Sequence, residues 1–432
     1  MEASDILSVG DQLHRFMSHF KECFGRHEPA EHAERYVRGQ QLNLPRKSME
    51  PMADEAGIDP RALQKFLGEH RWDDRLMATK VHQLVMRDHA HPQAIGIIDE
   101  TSFAKKGNKT PGVNRQHCGS TGKLDNCVVT THLAYATPDG FHAMLSSALF
   151  LPEVWSNDRK RCKEAGIPDT LVHRTKWEIG LELHQEAVAN GVHFAWVTAD
   201  EFYGRPVEFH QKLSQRGQNY VLEVPRNFYG WCRKPDLLHK DHHGQTGRKL
   251  KKKNPPISTV ENLLAHSPAF RKQPWEKFLI KESEKGPVVW EAKAVPFYLK
   301  DADGLPTRAH LLIVARNVLN PDEVKFFVSN AAANSPLTVL LSVAFSRFHV
   351  ERCFQDQKTE LGMHHFEVRN YTSLMRHLTL TAVSFLFLAM THAALKKTTR
   401  SDTLSGENRS QCIPEYAISF ASGPLANIGT RC

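Results

Sequence analysis

The chain has 432 residues, of which 41% are hydrophobic and 24% charged. That is ordinary globular composition with material for a sizeable core, and it excludes a disordered tail, a collagen or a disulfide-stapled mini-protein. Lys and Arg number 56 against 48 Asp and Glu, a formal charge of +8 before 25 His are counted, which favours an anionic partner, most commonly nucleic acid. The eight cysteines are scattered without a CxxC pair, so neither a zinc ribbon nor a redox dithiol is indicated. The opening MEASDILSVGDQLHRF carries early acids and lacks a long apolar core, unlike a signal peptide. The most apolar stretch, Leu378 to Thr391, is shorter than the ~18–20 residues of a spanning helix and reads as a buried one. A cytoplasmic protein with no membrane partner is expected.

Residues 1–90 show apolar positions at helical spacing, as in RALQKFLGEHRWDDRLMATKVHQLVMRDH. Within them EAGIDPRALQKFLGEHRW has a Gly- and Pro-bearing turn leading into a helix. It fits a helix-turn-helix with Arg61, Lys65, His70 and Arg71 available for phosphates, or an ordinary helical hairpin. The character changes at AIGIIDE (94–100), an apolar run ending in two acids, the profile of a buried strand. VVTTHLAYAT (128–137) and FHAMLSSALFL (141–151) follow as a hairpin around Pro138-Asp139-Gly140. WEIGLELHQEAVANG (177–191) is an amphipathic helix, and VHFAWVTADE (192–201) a second apolar strand ending in acids, before NYVLEVPRN (219–227). This order implies a mixed α/β sheet.

Residues 228–334 read as a β-rich insertion. It contains the basic run Arg248–Lys253 and the cluster His239, His242 and His243, followed by strand-like VVWEAKAVPFYL, RAHLLIVARNV and VKFFVSNA. Ser335-Pro336 opens one long helix, 336–361. The expected units are therefore a helical, DNA-binding region over 1–90, a first core segment over 91–227, the insertion over 228–334, core helices over 335–395 and a polar tail over 396–432.

Two strands end in acidic pairs, Asp99-Glu100 and Asp200-Glu201. Ligands of open α/β sheets gather at the carboxyl ends of strands. If the two strands are parallel neighbours, Asp99 and Asp200 converge, and a hard divalent cation relieves their repulsion through oxygen ligation. On the long helix Arg347, Glu351 and Lys358 share one face, with Val350, Phe354 and Leu361 on the adjacent apolar face. Asp356 and Glu360 fall off that face and read as solvated. The same trio also fits a salt-bridge ladder, and Asp99 or Asp200 taken singly fits a loop cap.

The segments IIDETSFAKKG, GVNRQHCGSTGKLDNCVVTTHLAYA, LPEVW, FAWVTADEFYG, VLEVPRN and RFHVERCFQDQKTELGMHHFEVR together resemble DDE-type insertion-sequence transposases, in the branch whose catalytic unit is the DDE superfamily endonuclease domain. The resemblance implies a ribonuclease-H-like mixed sheet flanked by helices, with the β-rich insertion ahead of the helix that carries the last acid. It places the catalytic and metal-binding triad on Asp99, Asp200 and Glu351, with two Mg²⁺ ions (Mn²⁺ as substitute) assisting in-line phosphoryl transfer. The activity implied is cleavage at the element's ends and strand transfer into target DNA, with terminal inverted repeats and target DNA as partners and a homodimer in the synaptic complex. A nuclease lacking strand transfer and a domesticated DNA-binding protein are the alternatives. The helix motif of related transposases has a Tyr three residues before the Arg, whereas this chain has Ala344. Expected DNA contacts are Lys105, Lys106, Arg115, Lys123, Tyr203, Arg347 and Lys358. Basic residues of this kind give affinity and salt sensitivity rather than sequence choice.

Overall fold

The computed structural model describes residues 3–238, 251–253, 256–281 and 286–404. The first ninety residues form helices α1 (Ala3–Met17), α2 (His27–Gln41), α3 (Met49–Glu55), α4 (Pro60–Gly68) and α5 (Asp74–His89). Local signals set their starts. Asp59 caps α4 by accepting from the Arg61 amide at 2.8 Å, with Pro60 in the first turn, and Asp73 caps α5 through the Leu76 amide. Helices α3 and α4 form a helical hairpin in which Leu63, Phe66 and Leu67 are buried and Arg61, Gln64 and Lys65 are exposed.

The next segment holds strands β1 (Ile95–Ala104), β2 (Asn114–Cys118), β3 (Lys123–Ala136) and β4 (His142–Leu149), and short helices α6 (Glu153–Ser156) and α7 (Arg159–Glu164). It continues with α8 (Lys176–Ala189), β5 (Trp196–Ala199), α9 (Glu201–Gly204), α10 (Val207–Gln215) and β6 (Tyr220–Val224). Strands β4, β3 and β1 pair antiparallel in that order, and β5 and then β6 follow in parallel with β1. This is a ribonuclease-H-like sheet. Helix α8 begins with a capping box between Thr175 and Glu178, worth about 1 kcal/mol. It lies close enough on β1 that a Cβ on Gly180 would stand 2.6 Å from Ile98 Cγ2, so glycine is what permits the approach.

Beyond β6 come β7 (Tyr229–Trp231), β8 (Asp236–Leu238), β9 (Lys251–Lys253), β10 (Ser258–Thr259), α11 (Val260–His266), α12 (Pro268–Arg271), β11 (Glu276–Lys281), β12 (Val288–Lys300), β13 (Pro306–Asn317) and β14 (Val324–Ser329). The β-rich stretch does not form a sheet of its own. Strand β14 pairs with β6, β13 with β14 and β12 with β13, so twelve strands share one sheet, while β8 and β9 pair separately. The cluster His239, His242 and His243 lies outside the described residues, as does the basic run apart from the backbone of Lys251–Lys253.

The single helix expected over 336–361 is two: α13 (Leu337–Phe345) and α14 (Phe348–Thr359), broken at Ser346–Arg347. The Ser346 hydroxyl donates to Val343 O at 2.7 Å, taking a carbonyl that an unbroken helix would use. The last described helix, α15 (Tyr371–Leu404), carries on through the first residues expected in the tail. Its segment Tyr371–Lys396 is long and apolar enough to cross a membrane by length and composition, and half of the most apolar window is buried. That half packs between β4 and helices α2, α4 and α5.

Polar contacts tie the N-terminal helices to α15. Tyr36 meets His377 at 2.7 Å, and the Gln40 amide donates to Thr381 Oγ1 at 2.8 Å. The buried Arg376 guanidinium donates to Leu67 O, His70 O and Trp72 O at 2.9–3.0 Å and lies 4.5 Å over the Trp72 ring. Phe16, Phe66 and Val81 share one apolar cluster with Leu380, Val383 and Phe387.

Candidate active site

Alternation along β1 decides which side chains meet which helix. Ile98 and Glu100 face α8, where Glu100 pairs with Lys176 at 2.6 Å; Asp99 and Thr101 face α14. Strand β1 pairs with β5 in parallel register as far as Ile98 opposite Ala199, so Asp200, just past the end of β5, stands beside Asp99. Strand β1, expected to end at its acids, instead runs on to Ala104, paired with β3. Asp200 also caps α9, accepting from the Phe202 and Tyr203 amides at 3.0 and 3.3 Å. Asp99 is 8% exposed, and its Oδ1 accepts from the Glu100 amide at 2.8 Å.

Burial and the neighbouring Asp200 push the Asp99 carboxyl up to about 8. Asp200 is likewise raised, first by burial and then by the charge of Glu100. Two adjacent carboxyl groups resist ionising together unless a cation joins them. Arg347 supplies the nearest positive charge. Its guanidinium stands 3.4 Å from Asp99, 2.9 Å from Glu351 and 4.0 Å from Glu223, so one side chain links acids from β1, β6 and α14. Glu351 is more than half exposed and remains turned toward Arg347. Among the described residues, no three Asp, Glu, His or Cys side chains are already gathered around an ion-sized space. The donor set of Asp99, Asp200 and Glu351 nevertheless suits a hard divalent cation, being all oxygen and short of positive charge.

The expected DNA contacts separate into two groups. Lys106, Arg115 and Lys123 are exposed, the last two on the β2–β3 hairpin. Lys105 instead folds inward. Its ammonium donates to His364 O and Phe366 O at 3.2 and 2.7 Å and sits 3.4 Å from the Phe366 ring centre, and burial pulls it down to about 8. Lys358 donates to Thr101 Oγ1 at 2.6 Å over the Phe103 ring. Tyr203 is fully buried, leaving no face for a base, while its neighbour Phe202 is 48% exposed. Asp356 is not solvated: it pairs with Arg352 at 3.2 Å, and burial raises it to about 6.

Sequence reading passed over Glu223 and Lys176. Glu223 is the one charge in the apolar strand YVLEV, a signal available in principle; it is held by Lys325 at 2.7 Å as well as facing Arg347. Lys176 opens α8 and carries no comparable mark. His132, opposite Asp99 in the β1–β3 ladder, is fully buried against Phe354, and both ring nitrogens are engaged by Thr130 and Ser147. It serves packing.

A probable transposase for insertion sequence element IS701 of Microchaete diplosiphon is 33% identical over 189 residues, 43% of this chain and 47% of that protein. The match thus spans about half the length of that relative. The crystal structure of the NurA nuclease from Sulfolobus solfataricus is similar at 10% identity over 63% of this chain and 85% of that one, with a TM-score of 0.24, a likeness too loose to bear on the site. The DDE superfamily endonuclease profile matches residues 19–287, which include Asp99 and Asp200 and end before Glu351. Since that match takes in well over half the chain and the sheet beneath it is ribonuclease-H-like, the chain belongs to the DDE superfamily endonuclease family.

Proposed function

We propose that the chain is the transposase of an insertion sequence, cutting DNA at the element's ends and joining the freed ends to target DNA. The observation that carries this reading is the parallel β1–β5 register, which sets Asp99 within β1 beside Asp200 at the end of β5, with α14 and its Glu351 packed against β1. Asp99, Asp200 and Glu351 would hold Mg²⁺, or Mn²⁺ in its place. When bound, the metal supplies positive charge to the attacking and departing oxygens of an in-line displacement at phosphorus. Arg347 offers a planar pair of donors for the phosphate under attack. Glu223 is paired with Lys325, so it adds little net negative charge to the site. Lys106, Arg115 and Lys123 would grip the backbone, and the α3–α4 hairpin would present Arg61, Gln64 and Lys65 to the duplex.

The test incubates purified protein with supercoiled plasmid bearing the element's ends, in Mg²⁺ and in EDTA, beside Glu351→Gln and Asp99→Asn. Boundary-specific nicking that requires the metal and both carboxylates is expected. Pre-cleaved ends with a target plasmid then report joining. Nicking that survives both substitutions would overturn the reading.

A further inference from the structure

Three carboxylates on three elements share Arg347, yet they hold it unequally. Only Glu351 lies at the 2.7–2.9 Å typical of a charge-assisted hydrogen bond; Asp99 at 3.4 Å and Glu223 at 4.0 Å are looser. Glu223 has its own cation in Lys325, so it does not depend on the guanidinium. Arg347 also sits at the break between α13 and α14, in the N-cap position rather than within a continuous helix, and its side chain is 24% exposed. A phosphate arriving from solvent can therefore reach it. The carboxylates it engages include two of the three that would hold a metal.

We propose that Arg347 is a resident counter-ion of the carboxylate cluster, which a DNA phosphate draws away, so that DNA binding and divalent-cation binding are coupled through this one side chain. The inference rests on the metal-dependent reading given above. Without DNA, the guanidinium and an incoming cation compete for Asp99 and Glu351. With DNA, the guanidinium turns to the phosphate, for which its planar donors are suited, and both carboxylates become available. Reciprocity follows: if DNA tightens the cation by some factor, the cation tightens DNA by the same factor.

The experiment measures Mn²⁺ affinity by titration calorimetry and electron paramagnetic resonance, on the full chain, with and without a duplex carrying one element end. In the parent protein DNA should tighten Mn²⁺ about tenfold or more, within the usual range for coupled sites. Arg347→Gln should bind Mn²⁺ more tightly than the parent in the absence of DNA, and DNA should add little further. Arg347→Lys keeps the charge without the planar fork, so it should bind Mn²⁺ weakly, as the parent does, with a smaller gain from DNA. Coupling of undiminished size in Arg347→Gln would overturn the inference, because the DNA itself would then be supplying the extra ligand. Absence of coupling in the parent would overturn it equally, and that measurement does not depend on a variant folding. Failure of the underlying reading looks different: no Mn²⁺ binding sensitive to Asp99→Asn, and no metal-dependent cleavage.

Discussion

Gly204→Ala tests how tightly the fold positions Asp200. A Cβ at this residue would stand 1.8 Å from Glu223 O and 2.9 Å from Glu223 C, both backbone atoms of β6. No rotamer change relieves that clash, since the obstacle belongs to a strand paired on both sides, by β5 and β14. Helix α9 must instead retreat by roughly 1.5–2 Å to restore ordinary contact. Asp200 caps that helix through the Phe202 and Tyr203 amides, so its carboxylate moves with it. Overpacking of this kind costs about 1–3 kcal/mol, set against a helix propensity that favours Ala over Gly by up to about 1 kcal/mol. A displacement of that size in a reacting site lowers rate on the order of 100-fold. The checks are urea unfolding followed by tryptophan fluorescence, and Mg²⁺-dependent plasmid nicking. The neighbouring exposed Arg205→Ala serves as a stability control that should stay within about 0.5 kcal/mol. If Gly204→Ala unfolds at the parent's denaturant midpoint and nicks at the parent's rate, the argument that Gly204 fixes Asp200 is wrong.

Replacing Arg376 with Met leaves Leu67 O, His70 O and Trp72 O without their donor, and should destabilise the protein by about 3–5 kcal/mol, read as a lower urea midpoint; a loss below 1 kcal/mol would show that these carbonyls find other partners. Lys106→Ala should leave the melting temperature unchanged while reducing the slope of log K against log salt for DNA by about 0.9, whereas Lys105→Met should lower the melting temperature, because the two adjacent lysines face opposite ways. Burial holds His82 down to about 4, between Ser146 and Asn190. Its folded value lies below the unfolded ~6.5, so the unfolded chain binds the extra proton and stability falls as pH drops from about 6.5 toward 4. The loss at this residue is about 3 kcal/mol at the acid end, so His82→Gln should flatten the pH dependence of unfolding in that window; an unchanged slope would refute the assignment.

Much of this site was legible because buried parallel strands write themselves as unbroken apolar runs, and a polar residue at the end of such a run stands out. IGIID and WVTAD announced both the strands and the first two acids. What stayed hidden depends on contacts distant in sequence. The pairing of β14 with β6 joins residues about a hundred apart, and no local pattern distinguishes a strand that extends the core sheet from one in a separate sheet. The break at Ser346–Arg347 carries neither Gly nor Pro, the usual marks of a helix end. Tyr203, expected to face a base, turns inward while Phe202 turns outward because adjacent residues on a one-turn helix differ by about 100° in direction, and contacts such as that of Tyr203 with Phe209 decide which ring goes inside. Lys105 and Lys106 differ because they follow the end of β1, where Lys105 is held by the His364 and Phe366 carbonyls and Lys106 is left exposed.

The dependence of the N-terminal helices on α15 has a consequence for biosynthesis. During translation those helices emerge first, and the helix that covers them is made some 300 residues later, about 15–60 s afterwards at 5–20 residues per second. Throughout that interval the faces bearing Phe16, Tyr36 and Phe66 lack the surface they pack on in the finished molecule. A nascent chain of this kind is a natural client for chaperones. A fragment ending near residue 90 would be short of its own core, so cutting out the α3–α4 hairpin with its exposed basic helix would yield a sticky polypeptide unless α15 were supplied with it.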